Sequence, residues 1–572
     1  MKEKVEKKEK QKKRLWQSKA VKIILLIFLL LIIAGVVFAG IKLAPGYKDT
    51  SIKDRTNLVI NNSNVTERLQ KNGTYVYRDE KGVWYLSFED VENFFDSHLY
   101  FDEKYQQVIT TSGTQIASIE VGKNEMYVNS AKTEINGTVM EKDGKWYLPF
   151  SEMENVYNVE ATYIEGNDTI VIESLDKKLT RALINRNTSV KARDRSLCRT
   201  IEKLKKGDSV IIVAQFDDWT KIRTANGNIG FVKTKVLNNI TEVRSDIVLS
   251  KQIEGQVNLV WDYYSEVASA PDRTGETIEG INVVSPSFFT LVRSGQGEID
   301  TNIGEEGKAY IEWAHQNGYK IWPMLSNNSL RETTEEIMQD YKLRENLINN
   351  IVNVLVEYQL DGVNIDFENM NAEDKDLFSR FIIELEPRLK ELGMVLSVDV
   401  TAPDGGENWS LCYDRNVLAD VADYLIFMAY DQHGASSTEA GTVAGYDWVE
   451  VNVKKFLGQE GVAKEKLILA MPLYTRLWKE ENGEVTPTVI FMNEVEDYIP
   501  EGVEKVWNED TKQYYIEYTE GDATYKMWIE DEESIKAKLG LIGQYELAGS
   551  AFWEKDRETP GVWTTLKEMS SK

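Results

Sequence analysis

Cysteine and histidine are scarce in this sequence. Its 572 residues include two cysteines, Cys198 and Cys412, and three histidines, His98, His315 and His433. Two cysteines so far apart exclude a disulfide framework and a cysteine-based zinc site. Three widely spaced histidines give little material for a histidine metal centre or a Ser-His-Asp triad. The sequence therefore predicts no metal and no cofactor, and it leaves carboxylates as the chemical groups of an active site.

Basic residues are also in deficit. Lys and Arg number 67 against 93 Asp and Glu, for a formal net charge of −26. The chain should therefore repel phosphate backbones, and nucleic acid is not an expected partner. The composition is otherwise that of a globular protein, with 42% hydrophobic and 28% charged residues. At ~150 residues per domain, the length favours three or four domains.

The N-terminus departs from this acidic pattern. Residues 1–22 form a basic tail, and residues 23–41 are 19 consecutive residues without a charged or polar side chain. At ~1.5 Å per residue, a helix of this length crosses a hydrocarbon core of ~30 Å. The basic tail predicts a single-pass membrane anchor with the N-terminus in the cytoplasm and the body outside the cell. A cleaved signal peptide is the alternative, with Val37 and Ala39 at the cleavage positions, but its apolar region is usually ~7–15 residues long.

Residues 57–175, which follow a polar linker at 43–56, contain an internal repeat. Residues 82–93 (GVWYLSFEDVEN) match residues 144–155 (GKWYLPFSEMEN) at seven of twelve positions. Each copy predicts a short strand followed by an amphipathic helical turn. The Trp-Tyr-Leu-x-Phe pattern resembles the N-terminal module of copper amine oxidases, which many bacterial surface proteins also carry. The resemblance implies a β-rich stalk without copper ligands.

Residues 187–240 contain short alternating strands, separated by the turn sequences KGD at 206–208 and NGN at 226–228. Four segments resemble strands of a bacterial SH3 domain, a small β-barrel: 190–193, 211–213, 219–222 and 230–232. The resemblance implies either a module that binds cell-wall peptide or a spacer with a tryptophan in its core, and the sequence leaves both open.

Residues 250–570 have the length of a (β/α)8 TIM barrel with one insertion. Eight apolar strand-like runs alternate with helical patterns, at 257–261, 281–284, 321–325, 362–367, 395–400, 424–428, 467–471 and 550–553. Between about 479 and 534 the pattern changes to short polar-aromatic strands, which predicts a small α+β insertion after the seventh strand. Insertions in this position lie on the catalytic face of a barrel.

The fourth predicted strand carries the sequence DGVNIDFE at residues 361–368. Side chains alternate along a strand, so Asn364, Asp366 and Glu368 share one face and Glu368 lies at the C-terminal mouth of the barrel. Two carboxylates in a partly dry interior cannot both ionise cheaply, so one should hold its proton, and Glu368 becomes a candidate general acid. A buried polar network without function is the alternative, but barrel interiors are normally filled by Val, Ile and Leu.

This run resembles the D-x-x-D-x-D-x-E motif of glycoside hydrolase family 18, the chitinase-like family. Further motifs follow in that family's order: Met-x-Tyr-Asp at 428–431, Pro-x-Tyr-x-Arg at 472–476 and Trp553 on the eighth strand. Asn364 departs from the pattern, which commonly has Asp there. Because wall-lytic and spore-cortex N-acetylglucosaminidases carry a similar D-G-V-N-I-D-F-E form, we interpret Asn364 as a mark of that subgroup.

The resemblance implies a retaining mechanism in which the 2-acetamido carbonyl of the substrate attacks the anomeric carbon. In this mechanism Glu368 protonates the leaving oxygen, Asp366 accepts the acetamido N–H and Tyr430 donates to the acetamido oxygen. Trp553 stacks beneath the sugar ring. For Tyr430 and Trp553, packing in the core is the alternative.

The same motifs assign further residues to substrate binding: Asp361, Asn364, Asp431, Trp553, Tyr474 and Arg476. Asp431 is expected to hold either the acetamido group or Asp366. Three more tryptophans near strand ends fit a sugar subsite and a core position equally: Trp261, Trp322 and Trp478.

Together these observations predict a membrane-anchored extracellular glycosidase that cleaves β-1,4 bonds beside N-acetylglucosamine, with peptidoglycan preferred over chitin. A catalytically inactive wall-binding protein on the same barrel is the alternative, with Asn364 in its favour and Glu368 against it. A tether that binds the wall through its SH3-like domain is a third interpretation. Exo and endo cleavage both fit the sequence.

Overall fold

The computed structural model describes residues 2–16, 19–43, 52, 55–244, 253–265 and 267–570. The chain begins with two helices, Lys2–Trp16 and Lys19–Leu43. Within the second, Val21–Phe38 is long and apolar enough to cross a membrane, and the rest of the described protein does not bury it. Most of the predicted polar linker at 43–56 lies outside the described residues.

The internal repeat forms a sheet in the β-rich region that follows. Strands Trp84–Ser87 and Lys145–Leu148, one from each copy, pair antiparallel. Each is followed by a helical turn, Phe88–Phe94 in the first copy and the 3-10 turn Phe150–Glu152 in the second. The repeat in the sequence therefore corresponds to two halves of one packed unit.

The β-rich region contains one further helix, Thr66–Asn72, and three small sheets. Its remaining strands are Asn57–Ile60, Ser63–Asn64, Tyr77–Arg78, Tyr100–Asp102, Gln107–Ser112, Gln115–Glu120, Glu125–Val128, Ala131–Glu134, Met140–Lys142, Val159–Ile164 and Thr169–Ser174.

A seven-stranded antiparallel sheet forms the next unit, where the sequence predicts an SH3-like barrel. Its strands are Leu179–Ile184, Thr188–Lys191, Thr200–Leu204, Ser209–Gln215, Trp219–Thr224, Ile229–Lys233 and Leu237–Arg244. The core consists of small aliphatic side chains such as Ala182, Val190 and Ile222. Trp219 lies outside this core, because it is half-buried and the Lys233 ammonium lies 4.3 Å from its ring centroid. The expectation of a tryptophan in the core is therefore wrong.

The C-terminal half is a closed barrel of eight parallel strands. In barrel order the strands are Val257–Asp262, Val283–Pro286, Lys320–Ile321 with Met324–Ser326, Gly362–Asp366, Val395–Val400, Tyr424–Met428, Leu467–Pro472 and Gly549–Trp553. The eighth strand pairs with both the seventh and the first, which closes the ring. The third strand is interrupted at Pro323, which has no N–H to donate to a neighbour.

Helices surround the barrel: Gly304–Gln316, Arg331–Gln339, Tyr341–Glu357, Lys375–Glu391, Arg415–Val421, Tyr446–Gly458, Glu532–Tyr545 and Gly561–Ser570. A hairpin of strands Phe289–Leu291 and Ile299–Thr301 extends the loop after the second barrel strand. Both cysteines are buried and free.

The insertion after the seventh strand is a five-stranded antiparallel sheet, and it begins earlier than predicted. Its strands are Tyr474–Glu481, Glu484–Phe491, Val506–Asn508, Gln513–Glu520 and Ala523–Ile529. The predicted boundary at residue 479 missed the first half of the first strand because that half is buried, like a barrel strand. As a result the insertion, rather than the barrel, carries Tyr474 and Arg476.

The β-rich region packs against the outer helices of the barrel rather than against the strand ends. The Tyr105 hydroxyl donates to Asp340 (3.0 Å), and the Arg380 guanidinium lies 4.8 Å from the ring centroid of Tyr100. The seven-stranded sheet contacts the β-rich region in turn through a small apolar cluster: Val59, Val171 and Ile229. The contacts of Tyr105 and Tyr100 with the barrel thus lie on the outer helices.

Closure of the barrel depends on Gly549. A Cβ atom at this position would lie 1.7 Å from the carbonyl oxygen of Val257 on the first strand. We expect Gly549→Ala to destabilise the barrel by about 1–3 kcal/mol through overpacking. Gly540→Ala is the matched control, since nothing lies within 4 Å of its added methyl and Ala is favoured by up to ~1 kcal/mol within a helix. Thermal unfolding measures both variants, and an unchanged midpoint for Gly549→Ala would contradict this account of closure.

Candidate active site

The fourth barrel strand divides its side chains between two environments. Val363, Ile365 and Phe367 are fully buried in the large apolar cluster between strands and helices. Asn364 and Asp366 alternate with them and project into the barrel, as the period of a strand requires. Glu368 continues this alternation just beyond the end of the strand, at the C-terminal mouth.

The main chain at Glu368 is held by two polar side chains that the sequence analysis did not identify. Asn327, which is fully buried, accepts a hydrogen bond from the Glu368 N–H (3.0 Å) and donates one to the Glu368 carbonyl (2.9 Å). The Tyr413 hydroxyl donates to the carbonyl of Phe367 (2.7 Å). Asn327 follows the third strand, and the polar run SNNS at 326–329 was the available signal for it. These bonds fix the backbone from which the Glu368 carboxyl projects.

Glu368 is electrostatically suited to carry a proton at neutral pH. Burial, together with the nearby carboxyls of Asp366 and Asp431, raises the pKa of Glu368 to about 8. The carboxyl can therefore donate a proton to a leaving group near neutral pH, as a general acid must. The direction of this pKa shift is the one expected from crowding of carboxylates on the fourth strand.

Asp366 lies one layer below Glu368. Burial and the carboxyl of Asp399 raise the pKa of Asp366 well above its usual value. Its Oδ1 atom is buried without a hydrogen-bond partner among the described residues. A buried acceptor of this kind is costly unless a ligand pairs with it, so Asp366 has one oxygen available for a substrate N–H.

Asn364 forms a buried network and does not reach the mouth. Its Oδ1 accepts from Trp261 Nε1 (2.8 Å), and its Nδ2 donates to Ser397 Oγ (3.1 Å) and Asp399 Oδ1 (2.8 Å). Asn364 is fully buried, so its assignment to substrate binding is corrected. Asp399 was missed by the sequence analysis, although Ser397 and Asp399 alternate on the fifth strand as Asn364 and Asp366 do on the fourth.

Asp361 lies at the opposite end of the fourth strand. Its carboxylate accepts hydrogen bonds from Lys320 Nζ (2.7 Å) and the Ile321 N–H (3.1 Å), and it lies 2.9 Å from His315 Nε2. Asp361 and Glu368 are seven steps apart along the chain, which at ~3.3 Å per residue of extended strand places them roughly 23 Å apart. Its assignment to substrate binding is therefore corrected as well: Asp361 joins the third and fourth strands at the bottom of the barrel.

The sixth strand and the insertion supply the opposite side of the mouth. Asp431 Oδ1 accepts from the Tyr474 hydroxyl (2.7 Å) and from the Arg476 guanidinium (2.8 Å). Tyr430 packs edge-on against Tyr474, with ring centroids 6.3 Å apart. Burial and the carboxyls around it, Asp399 first, raise the pKa of Tyr430 well above its usual value. Its phenol is therefore a neutral hydrogen-bond donor.

Trp553, at the end of the eighth strand, is half-buried beside the first strand. Its ring centroid lies 5.7 Å from that of Trp261 and 5.7 Å from that of Tyr263. Trp261, Trp322 and Trp478 are fully buried, so the core alternative holds for all three and none is a sugar subsite. The described residues hold no group of three or more His, Cys, Asp or Glu placed to bind a metal ion.

Residues 260–558 match the model of the family described as glycosyl hydrolases family 18. The chain belongs to this family. Residues 59–172 match the copper amine oxidase N-terminal domain. The chain is thus a family 18 glycosidase with a second module of known type before its barrel.

Several relatives are similar to the catalytic half. YdhD of Bacillus subtilis, provisionally named a sporulation-specific glycosylase, is 29% identical over 294 residues, which cover 50% of this chain and 68% of that protein. The cortical fragment-lytic enzyme of Bacillus anthracis is 21% identical over 257 residues, covering 42% of this chain and 57% of that enzyme. A chitinase structure from Chromobacterium violaceum has 22% identity and a TM-score of 0.49, and covers 56% of this chain and 100% of that chain.

The raised pKa of Glu368 predicts the alkaline limb of the pH profile. With Glu368 as the general acid, the protonated carboxyl is the active form, and kcat/KM should fall as pH rises through about 8. Asp431→Asn removes a like charge, lowers the pKa of Glu368 and should move this limb to lower pH. Asp522→Asn, at an exposed turn of the insertion, is the charge-matched control and should leave the limb in place. A limb that stays near pH 8 in Asp431→Asn would contradict this electrostatic account.

Proposed function

We propose that the protein is a membrane-anchored enzyme that cleaves β-1,4 bonds next to N-acetylglucosamine in peptidoglycan, by a substrate-assisted retaining mechanism. The observation that carries the chemistry is the Glu368 carboxyl at the barrel mouth, whose pKa is raised to about 8, above a half-buried Asp366 whose buried Oδ1 has no partner within the described protein. Glu368 can donate a proton, and Asp366 has an oxygen that can accept a hydrogen bond from the substrate.

In this mechanism Glu368 gives its proton to the glycosidic oxygen as the bond from that oxygen to C1 breaks. The carbonyl oxygen of the substrate's 2-acetamido group forms a new bond to C1, and the resulting ring carries a positive charge. The ionised Glu368 then takes a proton from water as that water attacks C1 and the bond from C1 to the acetamido oxygen breaks. This restores the acid and the acetamido group and retains the configuration.

Asp366 and Tyr430 hold the acetamido group during these steps. The free Oδ1 of Asp366 accepts the acetamido N–H and, when ionised, stabilises the positive charge. The Tyr430 phenol, which stays protonated, donates to the acetamido oxygen. Asp431 is fixed by Tyr474 and Arg476 and acts on Glu368 through its charge. The half-buried face of Trp553 offers a stacking surface for the sugar.

Exposed aromatic side chains at the rim favour a polymeric substrate. Tyr263 follows the first strand and Trp409 lies in the loop after the fifth, and both are about half exposed. Trp409 is held near the mouth by its carbonyl, which accepts from the Thr401 hydroxyl, and by its neighbour Asn408, which donates to the Met370 carbonyl. Strands one and five are opposite each other in an eight-stranded ring, so these aromatics support glycan binding across the mouth.

The choice of peptidoglycan rests on architecture and on relatives. Proteins named as cortex-lytic enzymes and proteins named as chitinases both share the catalytic half. An apolar helix at Val21–Phe38, preceded by a basic segment, favours a single-pass anchor with the barrel outside the cell. A β-rich unit and a small seven-stranded sheet between helix and barrel would hold the catalytic unit in the wall, where peptidoglycan is the polymer within reach.

The substrate assignment is tested with the full chain in mild detergent, incubated with purified peptidoglycan and with chitin oligosaccharides. We expect reducing ends to be released from peptidoglycan and this release to fall by at least ~100-fold in Glu368→Gln, which keeps the shape of the acid but cannot donate the proton. Hydrolysis of chitin oligosaccharides without hydrolysis of peptidoglycan would overturn the substrate assignment. Binding without turnover of either would overturn the mechanism.

The anchor is tested by fractionating cells that express the full chain. We expect the protein in the membrane fraction and resistant to extraction by salt, because a helix of this length and composition inserts stably. Protease added outside intact cells should digest the barrel and spare the basic tail. A protein that is shortened at its N-terminus and released into the medium would show a cleaved signal peptide instead.

A further inference from the structure

Asp399 stands beside Asp366 inside the barrel. The fourth and fifth strands pair in parallel, with Asn364 opposite Ser397 and Ile365 opposite Val398. The next pair in this register is Asp366 with Asp399, on strands ~4.8 Å apart. Both side chains face the interior, because each follows the alternation of its strand. Two carboxyl groups from different strands thus meet in one layer below Glu368.

Among the described residues, no cation is paired with either of these two carboxyls. Asp399 is 1% exposed, and Asp366 carries the buried Oδ1 without a partner in the described structure. The titratable groups that face the pair are Glu368 above it, Tyr430 from the sixth strand and Tyr413 from the loop after the fifth strand. In the described chain, no salt bridge joins a Lys or Arg to either carboxyl. Arg476, which also lies at the mouth, is paired with Asp431. Two carboxyls this close in a buried layer cannot both be ionised cheaply, so one of them should keep a proton.

Asn364 decides how the pair divides its charge. Its Oδ1 accepts from Trp261, so the amide is oriented with Nδ2 toward Asp399 Oδ1 at 2.8 Å. An N–H donor favours the ionised form of the carboxyl that it contacts. Asp399 is therefore the better place for the negative charge, and Asp366 the better place for a proton. An ionised Asp at position 364 could not make this donation.

We propose that Asp399 is a positioning residue that shares a single proton with Asp366 and holds the Asp366 carboxyl in place until the acetamido group of the substrate arrives. When the substrate N–H reaches the mouth, the shared proton passes to Asp399 and Asp366 becomes the ionised acceptor. The proton stays within the pair, so no co-reactant is needed. This inference rests on the proposed role of Asp366. It also gives Asn364 a role, which is to orient the Asp366–Asp399 pair across two strands.

The proton count of the buried carboxyls tests this directly and needs no substrate. Infrared difference spectra of the full chain near neutral pH report protonated carboxyl groups, and isotope-edited Asp identifies them. We expect Asp399→Asn and Asp366→Asn each to lose one protonated carboxyl, and the double variant Asp366→Asn/Asp399→Asn to lose one as well. Ser397→Ala, which removes a neutral partner of Asn364, should lose none. Thermal unfolding verifies that each variant is folded.

A double variant that loses two protonated carboxyls in the infrared spectra would overturn the proposal, since each residue would then hold its own proton. A loss of signal in only one of the single variants, or in neither, would also overturn the proposal. Because no hydrolysis is measured, failure here is distinct from failure of the proposed substrate or reaction.

The pH profile supplies a second readout that a merely structural residue would not change. Measured on a chromogenic chito-oligosaccharide, kcat/KM of Asp399→Asn should show its acid limb at least about one pH unit lower than that of the native protein, because Asp366 then ionises without a neighbouring charge. The alkaline limb should shift less, and KM should be unchanged because Asp399 lies below the substrate. An acid limb that does not move would contradict the pairing.

Discussion

Burial of carboxyl groups with no cation paired to them in the described chain is the constraint on which this active site depends. Asp399 is buried and Asp366 is half-buried between barrel strands, and Glu368 lies in the layer above them. In this environment an ionised carboxyl is costly, so protons stay on groups that would lose them in water. The acid needed for glycoside cleavage therefore comes from the shape of the barrel rather than from an unusual side chain.

The surrounding structure serves to keep these groups in place. Asn327 and Tyr413 bind the main chain of residues 367–368, and Asn364 orients the layer beneath. The insertion contributes from the other side through Tyr474 and Arg476, which hold Asp431. Every one of these contacts joins elements that are distant in sequence, so the site exists only when the barrel is closed.

The barrel strands were predictable from the sequence because their apolar runs are continuous and the chain order of strands is simple. Inside the site, the alternation along residues 362–368 was sufficient to predict that Glu368 lies at the mouth. Motif membership alone was misleading for Asp361 and Asn364, since a motif does not say which end of a strand faces the substrate or which side chain is buried. Local patterns marked Asn327 and Asp399 as polar residues in or just after a strand, but their roles arise from contacts with other strands, which a single strand's pattern does not give.

The small modules were harder to predict than the barrel for a related physical reason. In short sheets a tryptophan packs beside the core as readily as within it, and Trp219 lies against Lys233 at the surface. The boundary of the insertion was also obscured, because its first strand begins with buried residues that look like part of the barrel. A burial pattern in the sequence can identify a strand, but it does not say whether that strand belongs to the barrel or to the inserted sheet.

The two hydrogen bonds from Asn327 reach the peptide group of Glu368 and not its carboxyl. The position is thus held in the same way whichever side chain occupies it. A variant that loses the acid would retain the mouth, the Asp431 cluster and the aromatic rim, which are the surfaces proposed to bind a glycan. On the proposed mechanism, a single substitution at this position would separate hydrolysis from binding, and such a variant would capture the polymer without cutting it.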